Sequence, residues 1–284
     1  MKMNKTYNMK HYKKFLKLKK IGFSTNKISE IMGISQPVLY FWSKGSLPLR
    51  YSRKYRKSSL KKIRKYNKIN KKLRKEKYRE LRLKITSDFA FVLGSVLGDG
   101  CVTVRKRDVR NMGQTCLITK DKDYATNFKE SLERWSKTNC KLIFYRNVWN
   151  VWSYSLVVAK CLKNFDTKDL LINSEKIKSS FLKGIFDAEG SVDINGKKII
   201  FVNTSKNIIN LVESLLKSLK IKSKVYIRHS KVRFIEGRML VPSSYFIIQI
   251  GSKENLKLFY EKIGFSIKRK QNGLKNIINS YKPF

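Results

Sequence analysis

Acidic residues are scarce in this sequence, because 20 Asp and Glu stand against 64 Lys and Arg and give a formal charge of +44. Histidine occurs twice and cysteine four times without a CxxC pair, which argues against zinc-finger and HNH sites. No apolar run approaches the roughly 18 residues that span a bilayer, and residues 1–20 lack the apolar segment of a signal peptide. We therefore expect a cytoplasmic protein with reduced, buried thiols and no membrane partner.

The excess of positive charge is far larger than solubility requires, so a polyanion is the expected partner. Hydrophobic residues make up 42% of the chain and aromatic residues 12%. A disordered basic tail lacks this much apolar surface. Most of the chain is therefore expected to fold.

A basic segment, residues 50–84, separates two regions of ordinary composition. Its only acids are Glu76 and Glu80, and it contains no Gly or Pro. Apolar residues recur in it at intervals of three and four, which predicts a partly helical segment once phosphates neutralise the repulsion. Two interpretations stay open, a solvated linker and an arm that follows a phosphate backbone.

The region before this arm, residues 1–49, shows two short helical patterns on either side of Gly33. Ser35 is a suitable N-cap for the second pattern. The arrangement resembles a helix-turn-helix, in which the start of the second helix faces bases in the major groove. That resemblance implies that Ser35, Gln36 and Tyr40 face bases.

The region after the arm repeats itself. The segments FVLGSVLGDG, residues 91–100, and FLKGIFDAEG, residues 181–190, superpose at an offset of 90 residues. Each is followed by strand-like runs and an amphipathic helical pattern. The sequence thus predicts an α+β fold of two related units, residues 85–172 and 173–284.

Small residues recur four positions apart in both motifs: Gly94 and Gly98 in the first, Gly184 and Ala188 in the second. This spacing places them on one face of a helix, and small faces let two backbones approach closely. We therefore expect the two motif helices to pack against each other through these four residues.

One acid ends each motif helix, Asp99 in the first and Glu189 in the second, and a glycine suited to the position after a helix end follows each. Negative charge is disfavoured at a helix C-terminus, and two adjacent carboxylates also repel each other. A bound divalent cation resolves both conflicts. Carboxylate oxygens favour hard ions such as Mg²⁺.

The two motifs resemble the paired motifs of the single-chain LAGLIDADG homing endonucleases, over roughly residues 85–284. The resemblance implies two pseudo-symmetric αββαββα repeats that pack through their motif helices, with each repeat spreading a sheet over DNA. It also implies that Asp99, Glu189 and the backbone carbonyls of Gly98 and Ala188 hold two or three Mg²⁺ ions. Leu97 departs from the pattern, because the family usually has an acid there; that acid is not the metal ligand.

The resemblance further implies a basic pocket beside the acids. Lys268, in the segment FSIKRKQNGL, matches the family's lysine-bearing segment and is our candidate for stabilising charge at the phosphate. Lys120 lies where the family often has a polar pocket residue, and Thr204 lies at the matching place in the second copy. We therefore expect Asp99, Glu189, Lys268 and Lys120 to carry the chemistry.

Arginines and lysines are dense where the strands of both repeats are expected, as a sheet in the major groove requires. The candidates for DNA contact are Arg105, Arg107, Arg110, Lys198, Arg228, Arg233 and Arg238. The implied function is a double-strand break with short 3′ overhangs, made by a monomer on double-stranded DNA with a long, asymmetric site. A nucleoid-associated location follows from this.

Two other functions use the same fold, a transcription regulator that binds without cutting and an intron RNA maturase. A charge of +44 suits RNA as well as DNA. Retention of both acids favours the nuclease over the regulator. We also expect a free-standing protein, because the chain opens with Met1 and closes without a terminal His-Asn pair.

Overall fold

The computed structural model describes residues 7–48, 68–81, 84–107, 110–229, 233–235, 238–240 and 244–281 of the chain. They belong to two compact units that divide between Arg74 and Lys75, and each unit has its own buried apolar cluster. Much of the predicted basic arm, residues 50–67 and 82–83, lies outside the described part. Within the described ranges, no helix is both long and apolar enough to cross a membrane.

The described residues of the first unit are mainly helical. Its core of Phe15, Ile28, Ile34, Leu39 and Trp42 is enclosed by α1 Met9–Lys20, α2 Thr25–Met32 and α3 Gln36–Ser43. Gly33 ends α2 in the left-handed conformation, with φ of 59°, which glycine adopts without steric cost. Ser35 occupies the N-cap position of α3, although its side chain makes no capping hydrogen bond.

Helix α4, residues 68–81, forms the end of the segment that the sequence marks as a basic arm. Leu81 is 4% exposed and belongs to the apolar core of the second unit, and Tyr78 packs against the same core. The two residues are three positions apart and therefore share one helix face. The end of this helix is thus anchored in the second unit.

The first repeat has the predicted αββαββα order, which is confirmed. Its elements are α5 Ser87–Gly98, β1 Gly100–Arg107, β2 Arg110–Thr119, α6 Lys122–Ser136, β3 Lys141–Tyr145, β4 Val148–Ser153 and α7 Leu156–Lys163. The strands form one antiparallel sheet in the order β1-β2-β4-β3. Leu117 and Val151 face each other on the inner side of this sheet and are fully buried.

The second repeat starts after a 3₁₀ turn, Thr167–Leu170, and follows the same order with additions. Its elements are α8 Glu175–Glu189, β5 Gly190–Asp193, β6 Lys198–Asn203, α9 Lys206–Ser218, β7 Lys224–His229, β8 Arg233–Ile235, β9 Arg238–Leu240, β10 Ser244–Ile250, α10 Lys253–Lys262 and α11 Lys268–Asn279. Strands β5-β6-β10-β7 form a second antiparallel sheet with the same layout, and β8 and β9 form a separate hairpin.

Helices α5 and α8 meet backbone to backbone in the centre of this unit. A Cβ atom added at Gly94 would lie 2.9 Å from the backbone nitrogen of Ile185, and one at Gly184 would lie 2.9 Å from that of Ser95. Both would lie even closer to a carbonyl oxygen of the facing helix, that of Phe181 or Phe91. Because a real side chain cannot fit at such distances, only glycine permits this approach.

The next level of the same interface is shared by Gly98 and Ala188. A Cβ at Gly98 would collide with the Cβ of Ala188 and would lie 3.3 Å from Cγ of Glu189. One methyl group therefore fills the space at this level, and the glycine opposite it leaves room for that methyl.

The glycines that follow the two acids do not take the left-handed conformation suggested by the helix-end pattern. Gly190 has φ of −84° and ψ of 149°, and β5 starts at this residue. Gly100 likewise starts β1, and a Cβ there would lie 3.1 Å from the carbonyl oxygen of Cys116. The chain passes directly from helix to strand, so lack of space explains these glycines.

We expect Gly184→Ala to lower the free energy of unfolding by about 3 kcal/mol, because the added methyl forces the two helices apart. Gly251→Ala is the matched control, since the nearest atom to a Cβ there is 3.9 Å away. Urea unfolding of both variants measures the difference. Equal, small losses in the two variants would contradict the close approach of α5 and α8.

Candidate nuclease site

The two acids meet because they lie at the same end of the packed helices. Asp99 is the C-cap residue of α5, and Glu189 is the last residue of α8. Thr86 fixes the start of α5 by accepting a hydrogen bond from the backbone nitrogen of Phe89 at 3.2 Å. The fold thus brings together the two acids that the sequence predicts to act together. Gly98 and Ala188, whose backbone carbonyls are also predicted metal ligands, directly precede the two acids in the chain.

The surroundings of both carboxyl groups disfavour their charged form. Burial raises the pKa of Asp99 above its usual value, even though its side chain still reaches solvent, and the charge of Lys270 partly opposes this. Burial also raises the pKa of Glu189, the negative charge of Asp99 raises it further, and Lys270 again acts in the opposite direction. A site where negative charge is disfavoured gains from a cation between the acids.

The donor set fits a hard divalent cation. It consists of carboxylate and carbonyl oxygens, and among the described residues no group of three or more His, Cys, Asp and Glu could hold a metal alone. Mg²⁺ tolerates this, because it keeps several waters and binds one or two carboxylates together with phosphate oxygens. The two acids therefore suit an ion that completes its shell with substrate and water.

Lys270 is the basic residue whose charge reaches both acids, and the sequence analysis missed it. Its side chain is 7% exposed. Its Nζ donates hydrogen bonds to the carbonyl oxygens of Phe186 at 3.2 Å and Asp187 at 2.5 Å, in the last turn of α8. Burial lowers the pKa of Lys270, while the charge of Asp187 works to raise it.

Asp187 holds the segment that carries this lysine. It is 1% exposed, and its carboxylate accepts hydrogen bonds from the backbone nitrogens of Ser266 at 3.0 Å and Ile267 at 3.4 Å. Burial raises its pKa to about 6. Asp187 thereby fixes the two residues just before α11 and so positions Lys270. In the first repeat Leu97 takes the equivalent place and packs against the core.

The spacing of the buried residues along α11 shows that Lys270 lies on the inward face of this helix. Lys270, Gly273, Leu274 and Ile277 are all buried and follow the spacing of three and four that defines one helix face. Lys268, two positions earlier, lies on another face and is exposed. Because Lys268, Arg269 and Lys270 are adjacent, the sequence alone does not show which of them faces the core unless the start of the helix is known.

Lys268 and Lys120 lie together on the surface, in a cavity of about 660 Å³ that Asp121 and Asp123 also line. The backbone nitrogen of Lys268 donates to Oδ2 of Asp123 at 2.6 Å. Beside it, Arg269 makes two hydrogen bonds of 2.8 Å with Asp121, and the pKa of Asp121 is lowered mainly by them. Thr204 is exposed after the end of β6.

The predicted DNA-contacting residues lie in strands and in the first unit. Arg105 in β1 and Arg228 in β7 are exposed, whereas Lys198 in β6 pairs with Asp193 at 3.7 Å. Ser35 and Gln36 are exposed at the start of α3, and Tyr40 is exposed one turn further along the helix. Four further candidates lie in strands, but their side chains fall outside the described part: Arg107, Arg110, Arg233 and Arg238.

Part of the chain matches a known family model, and the chain is similar in sequence to several known proteins. Residues 176–264 match the family model described as a LAGLIDADG-like domain. The chain is 27% identical over 201 residues to the uncharacterized protein MJ0398 of Methanocaldococcus jannaschii, an alignment that covers 68% of this chain and 72% of that protein. It is 29% identical over 195 residues to the probable translation initiation factor IF-2 of the same organism, covering 66% of this chain but only 16% of IF-2.

Among solved structures, the chain is similar to I-DmoI in complex with DNA and Ca, with a TM-score of 0.51 and 15% sequence identity. The superposition covers 67% of this chain and 98% of I-DmoI. I-DmoI is a homing endonuclease. At this identity the similarity establishes a shared LAGLIDADG fold.

Proposed function

We propose that this protein is a metal-dependent DNA endonuclease that hydrolyses one phosphodiester bond in each strand of a duplex. The observation that carries the proposal is the pair Asp99 and Glu189, which end two tightly packed helices and share one electrostatic environment. In this proposal both acids, with the carbonyl oxygens of Gly98 and Ala188, hold Mg²⁺. When bound, the metal supplies charge stabilisation for the attacking and leaving oxygens.

The residues of the chain have separate tasks in this proposal. Asp99 and Glu189 bind the ions and orient the scissile phosphates between the two repeats. Lys270 supplies a fixed positive charge where negative charge develops during hydrolysis. Lys268 and Lys120 stay candidates for the rim of the pocket, where their exposed side chains suit contact with a phosphate of the DNA backbone.

The duplicated but unequal repeats suit a long, asymmetric target, because each sheet presents different side chains to its half of the site. Two repeats in one chain supply both acids, so a monomer is sufficient. The products are expected to carry short 3′ overhangs, as the resemblance to single-chain LAGLIDADG enzymes implies. A regulator that only binds DNA, or a maturase that binds RNA, does not need the paired acids.

The direct test is incubation of the full chain with duplex DNA, with Mg²⁺ and separately with EDTA. The DNA flanking its gene, joined across the gene, is the first substrate, since homing targets resemble the interrupted locus. Linear fragments with matching 3′ overhangs support the proposal. Stable binding of DNA or RNA without a cut would favour one of the two binding functions.

We further propose that the first unit and the basic arm form a second DNA reader. Ser35 and Gln36 at the start of α3 and Tyr40 one turn later are exposed and suit contact with DNA, and the arm carries the cations that phosphate contact requires. Tethering makes engagement of this reader intramolecular once the nuclease is bound. The reader is therefore expected to raise affinity and extend the protected region.

Removal of residues 1–67 is expected to weaken DNA binding by about tenfold or more at about 0.1 M salt, with the cut positions unchanged. This truncation keeps α4, whose Leu81 is part of the second unit's core. The slope of log affinity against log salt should become shallower, because fewer phosphate contacts remain. Footprinting of both forms on one target measures the effect, and an unchanged footprint and slope would remove the reader from the proposal.

A further inference from the structure

The outer face of the first sheet, the side away from α5 and α6, carries a group of exposed apolar side chains. Met112, Ile118, Ile143 and Tyr145 lie on it with 50%, 46%, 49% and 58% of their surface exposed. Ile118 and Ile143 both stand opposite Asn150 on the strand between them, so the three form a row across β2, β4 and β3. Trp152 lies in the neighbouring row of the same face.

These side chains are not core residues that happen to be partly open. The alternate positions of the same strands, Leu117, Leu142 and Val151, point inward and pack in the apolar core. Strand geometry therefore directs one apolar set inward and a second apolar set outward. An exposed apolar surface of this kind marks a binding surface.

The second sheet has a different outer face. Lys224 stands opposite Gln249 there, Arg228 stands opposite Tyr245, and Lys198 lies in the same layer beside Asp193. Apolar residues are present too, but charged and amide groups alternate with them. The first outer face also carries two amides, Gln114 and Asn150, so the two halves differ in proportion: exposed apolar side chains are more numerous on the first face and charged groups on the second.

The position of the first outer face indicates what covers it. Strand β1 starts directly after Asp99, so its first outward side chain, Cys101, is two residues from that acid. Exposed cations border the face, Arg105 on β1, Lys141 on β3 and Arg146 in the turn after β3. A duplex cut at Asp99 extends over this face, and the cations suit its phosphates. A second copy with the same charge of +44 would be repelled.

We propose that the first sheet reads its half of the target mainly through the C5-methyl groups of thymine, which rests on the proposed nuclease function. Thymine is the base that offers an apolar group in the major groove, and the side chains of Ile118, Ile143 and Met112 have no hydrogen-bonding group to pair with other base edges. The half-site under the first sheet is therefore rich in thymine. The half-site under the second sheet is read by hydrogen bonds from residues such as Gln249 and Arg228.

Deoxyuridine tests this directly, because it lacks only the methyl group of thymidine. The full wild-type chain in EDTA selects bound duplexes from a randomised library, and thymidines are then replaced in one half of the selected site at a time. We expect affinity to fall about fourfold for each methyl lost under the first sheet, as burial of one carbon group implies. Replacement in the other half should change affinity less than twofold.

Two variants show which half of the target each sheet contacts. Ile118→Ala should reduce the deoxyuridine effect in one half, because one of the three apolar contacts is lost, whereas Lys224→Ala should leave it unchanged. Both side chains are exposed, so neither variant is expected to unfold, and thermal melting by circular dichroism checks this. Equal deoxyuridine effects in both halves, or a first half-site of guanines without thymine, would overturn the inference.

Two further outcomes distinguish a failure of this inference from a failure of the proposed nuclease function on which it rests. A chain that retains no duplex would contradict the proposed nuclease function and this inference together. A chain that retains and cuts duplexes without sensitivity to deoxyuridine would overturn this inference alone. If sedimentation shows a dimer that Ile118→Asp splits, the face is a contact between copies and the inference is wrong.

Discussion

Asp99→Asn and Glu189→Gln are each expected to lower the rate of DNA cleavage by at least about 10³-fold. Each substitution keeps the size of the side chain but removes the negative charge that favours a divalent cation. The acids end the central helices rather than lying on the outer sheet faces, so DNA affinity should change by less than about threefold. Single-turnover cleavage and gel-shift binding on the same duplex give both numbers.

Glu213→Gln is the matched control, because Glu213 is an exposed acid on α9 outside the candidate site. It should cut at the wild-type rate. If Asp99→Asn or Glu189→Gln still cuts within tenfold of wild type, the assignment of the metal site is wrong. A loss of cleavage that only mirrors a loss of binding would instead make the acids part of the DNA interface.

Lys270→Met is expected to lower the cleavage rate about 10²-fold at saturating DNA and to change affinity little, because a buried cation beside both acids stabilises charge that develops in the transition state. Lys268→Met provides the comparison within the same helix. Since Lys268 is exposed and two positions away, its loss should cost less than about threefold in rate. The opposite ranking of the two variants would restore Lys268 as the lysine that acts on the phosphate.

Lys270 also has a structural role, and the measurement must separate it from the chemical one. Methionine cannot donate to the carbonyl oxygens of Phe186 and Asp187, so some loss of stability is expected. Near-ultraviolet circular dichroism and urea unfolding establish the folded fraction at the assay temperature. A rate that recovers fully after correction for that fraction would reduce Lys270 to a residue that only supports α8.

The repeat architecture and the acids could be predicted from the sequence because the evidence for them is local. Two motifs at an offset of 90 residues carry glycine at the fourth position and an acid at the ninth. The amphipathic rows predicted for α6 and α9 are also found, and Phe128, Leu132, Val212 and Leu215 are fully buried. The αββαββα order then follows from the resemblance and is confirmed.

The features that sequence reasoning missed depend on phase and register. Only the phase of α11 distinguishes the buried Lys270 from the exposed Lys268. That phase becomes known once the helix is seen to start after Ile267. Ile118 and Leu117 are adjacent and equally apolar, yet only strand pairing shows which one faces outward. The buried Leu81 lies in a segment for which the sequence left two interpretations open, a solvated linker and an arm along a phosphate backbone, and neither of them places a residue in the core.

The Gly98 and Ala188 pair has a consequence for how the two repeats diverge after duplication. A single methyl group fits between the helices at that level, so alanine in one copy requires glycine in the other. Substitutions there are tolerated only as compensated pairs. At Gly94 and Gly184 an added Cβ would meet the backbone of the facing helix, so no side-chain change opposite compensates for it. Changes on the outer faces of the sheets meet no such partner. Selection can therefore change the DNA sequence that each half recognises independently, whereas the residues between the central helices are constrained by each other.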